Sequence, residues 1–455
     1  MSLPSTPAWI AILGLVFFSA LCILGGAGSV LRLTFPVGCF AVGAFLYLRH
    51  PLFYVSFTWW VYFLTPLVRR LIDHKSGWVD PSPTLLAPVL VTLISFATLA
   101  RHLPKSNKSG SLPFILSFVG ASYGFLIGLA QISPVAATLG FLGWLNPILF
   151  GFHLFINWRD YPSYCQNIQR TFLWGVLVMG AYGIWQYLVA PEWDCFWLIN
   201  TEILSMGTPE PMGIRVWSTM NAPQPFGVVM MAGLLLLMCP QSALRIPAAG
   251  AGFLSFLLSS ARACWIGWIA GVFIFLPSLK ESLQMRLIVS MMVGILLIVP
   301  LATIEPFNSA IAPRIESLSN TKDDTSLEDR SEGYNELLDI ALFEFVGRGV
   351  GSVIEHGSIG SNDSGFLSQL FSLGWLGTIP YIGGVLLIFV ELFQGSLAKT
   401  DTFFSAARAI AFGAFIQIGL NFVQVGAIGM VLWGFLGIGM AAQKYHRHQQ
   451  RLQTH

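Results

Sequence analysis

GFLSQLFSLGWLGTIPYIGGVLLIFVELFQ, residues 365–394, is a run of thirty residues with one charged side chain, Glu391. At about 1.5 Å of helical rise per residue it is long enough to cross a hydrocarbon core of about 30 Å. Backbone polar groups find no water there, so the crossing form is a helix. Phe366, Leu367, Leu370 and Phe371 mark one apolar face, and Gly374 reads as a stop. The run therefore divides into a short interfacial helix and a true span. Comparable runs lie at 8–28, 30–48, 52–68, 84–100, 112–130, 134–156, 171–190, 223–239, 243–259, 263–279, 286–304, 405–424 and 426–442. The runs 30–48 and 243–259 contain Arg32 and Arg245. The 455 residues are 55% hydrophobic and 10% charged, with a mean hydropathy of +0.69. That balance predicts an all-α polytopic membrane protein, one membrane domain over 1–455 with 10–14 transmembrane helices.

Lysine and arginine in short loops set the orientation. Arg101, Lys105 and Lys108 share one loop, and Arg159 and Arg170 flank the loop two spans later. Lys280, Arg286, Lys399, Arg408 and the 443–455 tail, with Lys444, Arg447 and Arg451, fall on the same side, which reads as cytoplasmic. Both termini come out there. The outer side receives the 191–222 loop, with Glu192, Asp194, Glu202 and Glu210, and a large, partly helical loop at 305–364. The latter holds 12 of the 22 acidic residues, the densest polar island in the chain. Arg69, Arg70 and Lys75 sit on the outer side against the trend. The first run lacks an A-x-A-like cleavage site and reads as a retained span. The six cysteines form no CxxC, which argues against zinc or a redox motif. Cys195 and Cys264 either pair outside or remain thiols. The net charge of +2, with no basic stripe, points to no nucleic-acid partner.

Three outer arginines are candidates for an anion site. Arg215 lies in GIRVWSTMNAPQPFG, Arg262 in LSSARACWIG, and Arg330 in the large loop. A boundary arginine commonly snorkels or sets topology; a group of them also suits phosphate, which guanidinium forks grip in a bidentate way. Thr325 and Glu328 fit a capping box, which starts a helix. Arg330, Tyr334, Leu337, Ala341 and Phe345 then share one stripe, and a cation on that face needs an ion-pair partner or a ligand.

Gly347, Gly349 and Gly351 in VGRGVGS read as a tight turn or a phosphate cradle, without a Rossmann context. Asp363 stands before Ser364 and Gly365, where a carboxylate serves as helix N-cap, general base or both. His356 is a second base candidate in what reads as an exposed loop. Trp193, Trp197, Trp217 and Tyr334 suit sugar stacking or an interfacial belt.

These motifs, in this order, resemble the O-antigen ligase and O-antigen polymerase superfamily of bacterial cell-envelope enzymes. The resemblance rests on RVWSTMNAPQPFG, on SSARACWIGW, and on an Arg-led helix followed by GRGVGS and SNDSGFLSQLFSLGWLG, over roughly residues 170–440. It implies a fold similar to the C-type integral-membrane glycosyltransferases, placed in the bacterial inner (plasma) membrane. It also implies transfer of a glycan from a polyprenyl diphosphate to a hydroxyl on the periplasmic side, without a metal or other cofactor. Ligases of this group open the helix after the large loop with a histidine in H-N-x-x-L. Here that position reads NDSGFL, which turns the reading toward the polymerase branch.

On this reading Arg215, Arg262 and Arg330 hold the donor diphosphate and stabilise the charge that grows on it. Asp363 activates the acceptor hydroxyl, and a single displacement inverts the anomeric centre. The partners are a polyprenyl-diphosphate-linked glycan donor, a glycan acceptor and the lipid bilayer, with a chain-length regulator as a further candidate. The rivals are a ligase delivering the glycan to lipid A core or another acceptor, and a transporter without transferase chemistry.

Overall fold

The computed structural model describes residues 5–102, 110–239, 243–279, 337–352, 364–394 and 400–453, with isolated positions between them. The chain is an all-α polytopic membrane protein. Among the described residues, ten helices are long and apolar enough to cross a membrane, and three further apolar helices are shorter. Thirteen of the fourteen expected runs coincide with these helices. The other, 286–304, lies outside the described residues. The described residues fall into two compact units.

The first unit comprises residues 1–96 and 162–261. It contains α1 (Thr6–Leu24), α2 (Gly28–Arg49), α3 (Pro51–Ser76) and α4 (Leu86–Leu93). Part of α5 (Phe96–His102) belongs to the second unit. Beyond α6 (Leu112–Gln131) and α7 (Pro134–Ile156), which also belong there, come α8 (Tyr161–Val189), α9 (Glu192–Thr201), α10 (Pro223–Leu237) and α11 (Arg245–Leu258). α2 packs on α1, α3 and α4, while α9 packs on α3. Gly28, at the start of α2, lies against Ser76 and Ile72 at the end of α3, so the two helices run antiparallel. α1 keeps most of its surface exposed, including Trp9, Leu13 and Phe17, as suits a helix whose neighbour is lipid. α3 corrects the sequence reading. The apolar run was expected to end at 68, yet the helix continues through Arg69, Arg70 and Asp73 to Ser76. A helix needs only its own hydrogen bonds to continue, and these charges are paired.

The second unit comprises residues 97–161 and 262–455. It adds α12 (Arg262–Phe275), α13 (Gly365–Phe393), α14 (Thr402–Phe415) and α15 (Gly426–Gln453). α13 packs along α6, α15 along α7, and α12 against α14. α15 is buried at every position from 428 to 443. Small residues permit that enclosure: a Cβ on Gly437 would collide with the Gly151 backbone of α7, and one on Gly151 with the Trp433 carbonyl. A two-residue strand, Glu355–His356, pairs antiparallel with Ile359–Gly360.

α13 is broken at Gly374, where φ is +58° and ψ −176°. The expected stop is thus a break between a short helix and a long one. Leu367, Leu370 and Phe371 are buried with Leu337 and Ala341, and Tyr334 and Phe366 pack on that cluster. The stripe predicted from Tyr334 through Ala341 is therefore real. Phe345 is not on it: the helical stretch ends at 342 and Phe345 is exposed.

Candidate functional site

In the first unit the segment around Arg215 is gripped from both sides. Arg70, on α3, has no exposed surface and pairs with Asp194 on α9, Nε to Oδ1 at 2.6 Å. Its other two nitrogens donate to backbone: Nη2 to the Ser218 carbonyl at 2.5 Å and Nη1 to the Met220 carbonyl. Gln186, on α8, donates to Asp194 Oδ2 at 2.8 Å. Its own Oε1 accepts from Trp217 N at 3.1 Å and Ser218 N at 2.8 Å. Tyr182, one turn earlier, donates to the same Asp194 oxygen at 2.9 Å and accepts from Trp193 Nε1 at 2.8 Å. Arg70 thus takes the carbonyls of the WSTM segment and Gln186 takes its amides, and Asp194 ties the two together. This explains how Ser218 is held at φ +54°, a conformation disfavoured for a non-glycine residue.

A second ionic cluster closes the same end of α3. Asp73 accepts from Arg32 at 2.9 Å and Arg69 at 3.2 Å, and Arg69 also reaches Asp80 at 2.9 Å. Arg32 donates as well to the Gly77 carbonyl. Arg69 and Arg70 read against the charge trend because that trend counts solvated loop cations. These two are helical, buried and matched by carboxylates. The Arg70–Asp194 contact ties the end of α3 to α9.

Arg215 itself is half-buried and anchored to backbone. Nη1 donates to the Ser205 carbonyl at 2.8 Å, Nη2 to Ser260 at 3.1 Å and Nε to Ser259 at 3.3 Å. Ser259 and Ser260 follow the end of α11, where unpaired carbonyls and the negative end of the helix dipole favour a cation. Arg215 N and Val216 N bond to Met206 O and Leu258 O, which fixes the segment that carries the side chain. Trp197 and Trp217 are core residues, packed with Met206 and Ile214, so neither ring is open to a sugar. None of the six cysteines is in a disulfide, so Cys195 and Cys264 are not paired; burial pushes the Cys195 pKa up, with Asp194 and Glu192 adding to the rise.

In the second unit Arg262 opens α12 and is half-buried. The glycine loop is explained by the break in α13. The break frees the carbonyls of Phe371 and Ser372 and the amides of Trp375 and Leu376. Arg348 N reaches Phe371 O at 2.6 Å and Gly349 N reaches Ser372 O at 3.1 Å. Trp375 N and Leu376 N in turn donate to Glu344 O and Phe345 O. Val350 N crosses to Gly124 O of α6 at 3.0 Å. Gly347, Gly349 and Gly351 sit at φ +85°, +88° and +95°, and a Cβ on Gly349 would strike the Gly128 backbone. The loop is a structural turn that satisfies a broken helix, and the amides of residues 348–350 are already used.

The N-cap of α13 is Ser364, whose Oγ accepts from Leu367 N at 3.4 Å. Asp363, expected as cap or base, lies outside the described residues, as does Arg330. His356 is described only in its strand, and Tyr334 packs on the 337–371 cluster. Arg348, not singled out from sequence, lies over the Phe371 ring at 4.6 Å and beside Glu344 at 3.4 Å. Below the cap, buried Gln424 donates to the Gly365 carbonyl at 3.1 Å and to Gln369 Oε1 at 2.7 Å. Asn421 and Gln417 continue this amide row at 3.0 Å.

Arg215 belongs to the first unit and Arg262 to the second. The groups missed from sequence are Arg70, Asp194 and Gln186. Their one visible signal is an Arg-Arg pair on an apolar helix, which at membrane depth calls for a partner. No protein-family model and no curated protein matches this chain.

Proposed function

We propose that the protein is an integral-membrane glycosyltransferase that joins polyprenyl-diphosphate-linked oligosaccharide units into a longer surface polysaccharide. The observation that supports this most is the state of Arg215: three of its N–H groups are tied to backbone carbonyls. A cation fixed before the donor arrives needs no reorganisation as charge develops on the departing diphosphate. The diphosphate leaves without protonation, so the chemistry asks for such cations and for a base on the acceptor hydroxyl. Arg215, Arg262 and Arg330 fill the first role in this reading and Asp363 the second. The bacterial inner membrane, with the reaction on its periplasmic side, is part of the same proposal.

Two other readings remain open to test. A ligase would transfer the glycan once, to lipid A core or another acceptor. The broken helix α13 and the non-helical stretch before α15 favour the second, a carrier, since interrupted spans build transport sites. Purified protein in nanodiscs, given a lipid-linked repeat unit with EDTA present, separates the three. A ladder of products supports the polymerase. A single transfer to an added acceptor assigns the ligase. Movement of intact lipid-linked glycan without transfer assigns the carrier.

A further inference from the structure

Arg215 stands at the centre of a concentration of strained backbone. Among the described residues, the non-glycine positions with a positive φ are Ala190, Glu202, Met212, Ser218 and Ser260. All of them lie between α8 and α12 in the chain. Three adjoin Arg215. Met212, at φ +66°, comes three residues before it, and Ser218, at φ +54°, three residues after. Ser260, at φ +51°, supplies the carbonyl that Nη2 of Arg215 reaches at 3.1 Å. A side chain crowds the following carbonyl in this region, so the conformation persists only where the surroundings impose it.

On either side of Arg215 the surroundings are largely α8. Tyr187, in the last turn of that helix, is among the residues whose carbonyls have no amide partner within it. Its carbonyl takes Met212 N at 2.7 Å. Ser218 Oγ donates to the Met179 carbonyl at 2.6 Å. Between these points Gln186, with no exposed surface, takes the consecutive amides of Trp217 and Ser218 on one oxygen and donates to Asp194. The demand on that side chain is narrow. An aliphatic residue would leave two buried amides unbonded. A glutamate would serve the amides but would set a second carboxylate against Asp194. A glutamine accepts and donates at once.

We infer that Gln186 is a positioning residue for the transfer reaction. It fixes the backbone that follows Arg215, and through it the direction in which the guanidinium meets the donor diphosphate. This role rests on the transferase reading. Neither strained backbone nor a buried ion pair is what stability by itself selects, whereas strain gathers where a group is held ready for reaction.

The test is a double-variant cycle on full-length protein in nanodiscs, with a polyprenyl-diphosphate-linked repeat unit and release of polyprenyl diphosphate as the readout. Gln186→Met, of similar length, should lower kcat about 10–10²-fold through misplacement of Arg215, with KM for the donor unchanged. In the Arg215→Ala background the same change should lower kcat by less than about twofold, because nothing is left to position. A wild-type kcat in Gln186→Met, or an equal loss in both backgrounds, would overturn the role. If Gln186→Met does not fold, Ser218→Ala decides. It removes the bond to Met179 and should lower kcat about threefold, again only while Arg215 is present. A loss independent of Arg215, or none, would overturn the role in that case. Wild type without transfer would remove the transferase reading itself, and Arg215→Ala at the wild-type rate would remove Arg215 from it; the role of Gln186 falls with either.

Discussion

Asp194 carries its charge with no exposed surface, and Arg70 is just as enclosed. Removing one member of such a pair leaves the other buried and uncompensated, at a cost of about 3–5 kcal/mol. Asp194→Ala should therefore lower the thermal midpoint in detergent sharply. Arg70→Met/Asp194→Leu should recover much of that loss, because apolar groups of similar size replace a buried ion pair well. A double variant no more stable than Asp194→Ala would show that the bonds from Arg70 to Ser218 and Met220 dominate. At Arg215 the expected effect is on rate: Arg215→Ala should reduce transfer about 10²–10³-fold if it stabilises the departing diphosphate. A variant that folds, with an unchanged rate, would confine Arg215 to its cap on α11. From sequence, Arg215 and Arg262 stand out as boundary cations, but their surroundings do not. Arg70 and Asp194 are 124 positions apart in the chain, and no local period links them.

At the scale of the element, the apolar runs located the helices well and their ends poorly. The run 134–156 is the helix Pro134–Ile156, because Ser133 caps its start and its apolar stretch ends where it does. By contrast, α3 and α15 continue past the predicted spans through Arg69–Ser76 and Lys444–Gln453. Hydropathy reports what a lipid tolerates, whereas helix formation depends on backbone bonding, and charged residues with partners satisfy both. α9 was missed since a ten-residue helix in a polar loop lacks a span's signal. The break in α13 was half legible: Gly374 stood out, but the loop that satisfies it comes from residues 344–350. That pairing carries a prediction. Gly349→Ala forces a Cβ into the Gly128 backbone at a φ of +88° and should destabilise by at least about 1–3 kcal/mol. An open position such as Gly383, where a Cβ meets nothing within 4 Å, should tolerate the same change. Equal melting of the two variants would contradict the role assigned to the loop.

For the whole molecule, membrane crossing was legible because composition alone demands it, while sidedness rests on counted charges. The outer assignment of 191–222 and the inner assignment of the tail are checked together by labelling. In a cysteine-free background, Glu202→Cys should react with a membrane-impermeant maleimide in intact cells, and Arg451→Cys only after permeabilisation. The reverse pattern would invert the proposed topology and move the reaction to the other face. The transfer itself is tested most directly by counting its leaving group. Free polyprenyl diphosphate, measured by mass spectrometry against glycosidic bonds formed in nanodiscs, should appear once for each unit joined, with the anomeric configuration inverted. Lipid-linked glycan that crosses the bilayer intact, with no free polyprenyl diphosphate released, would contradict the account.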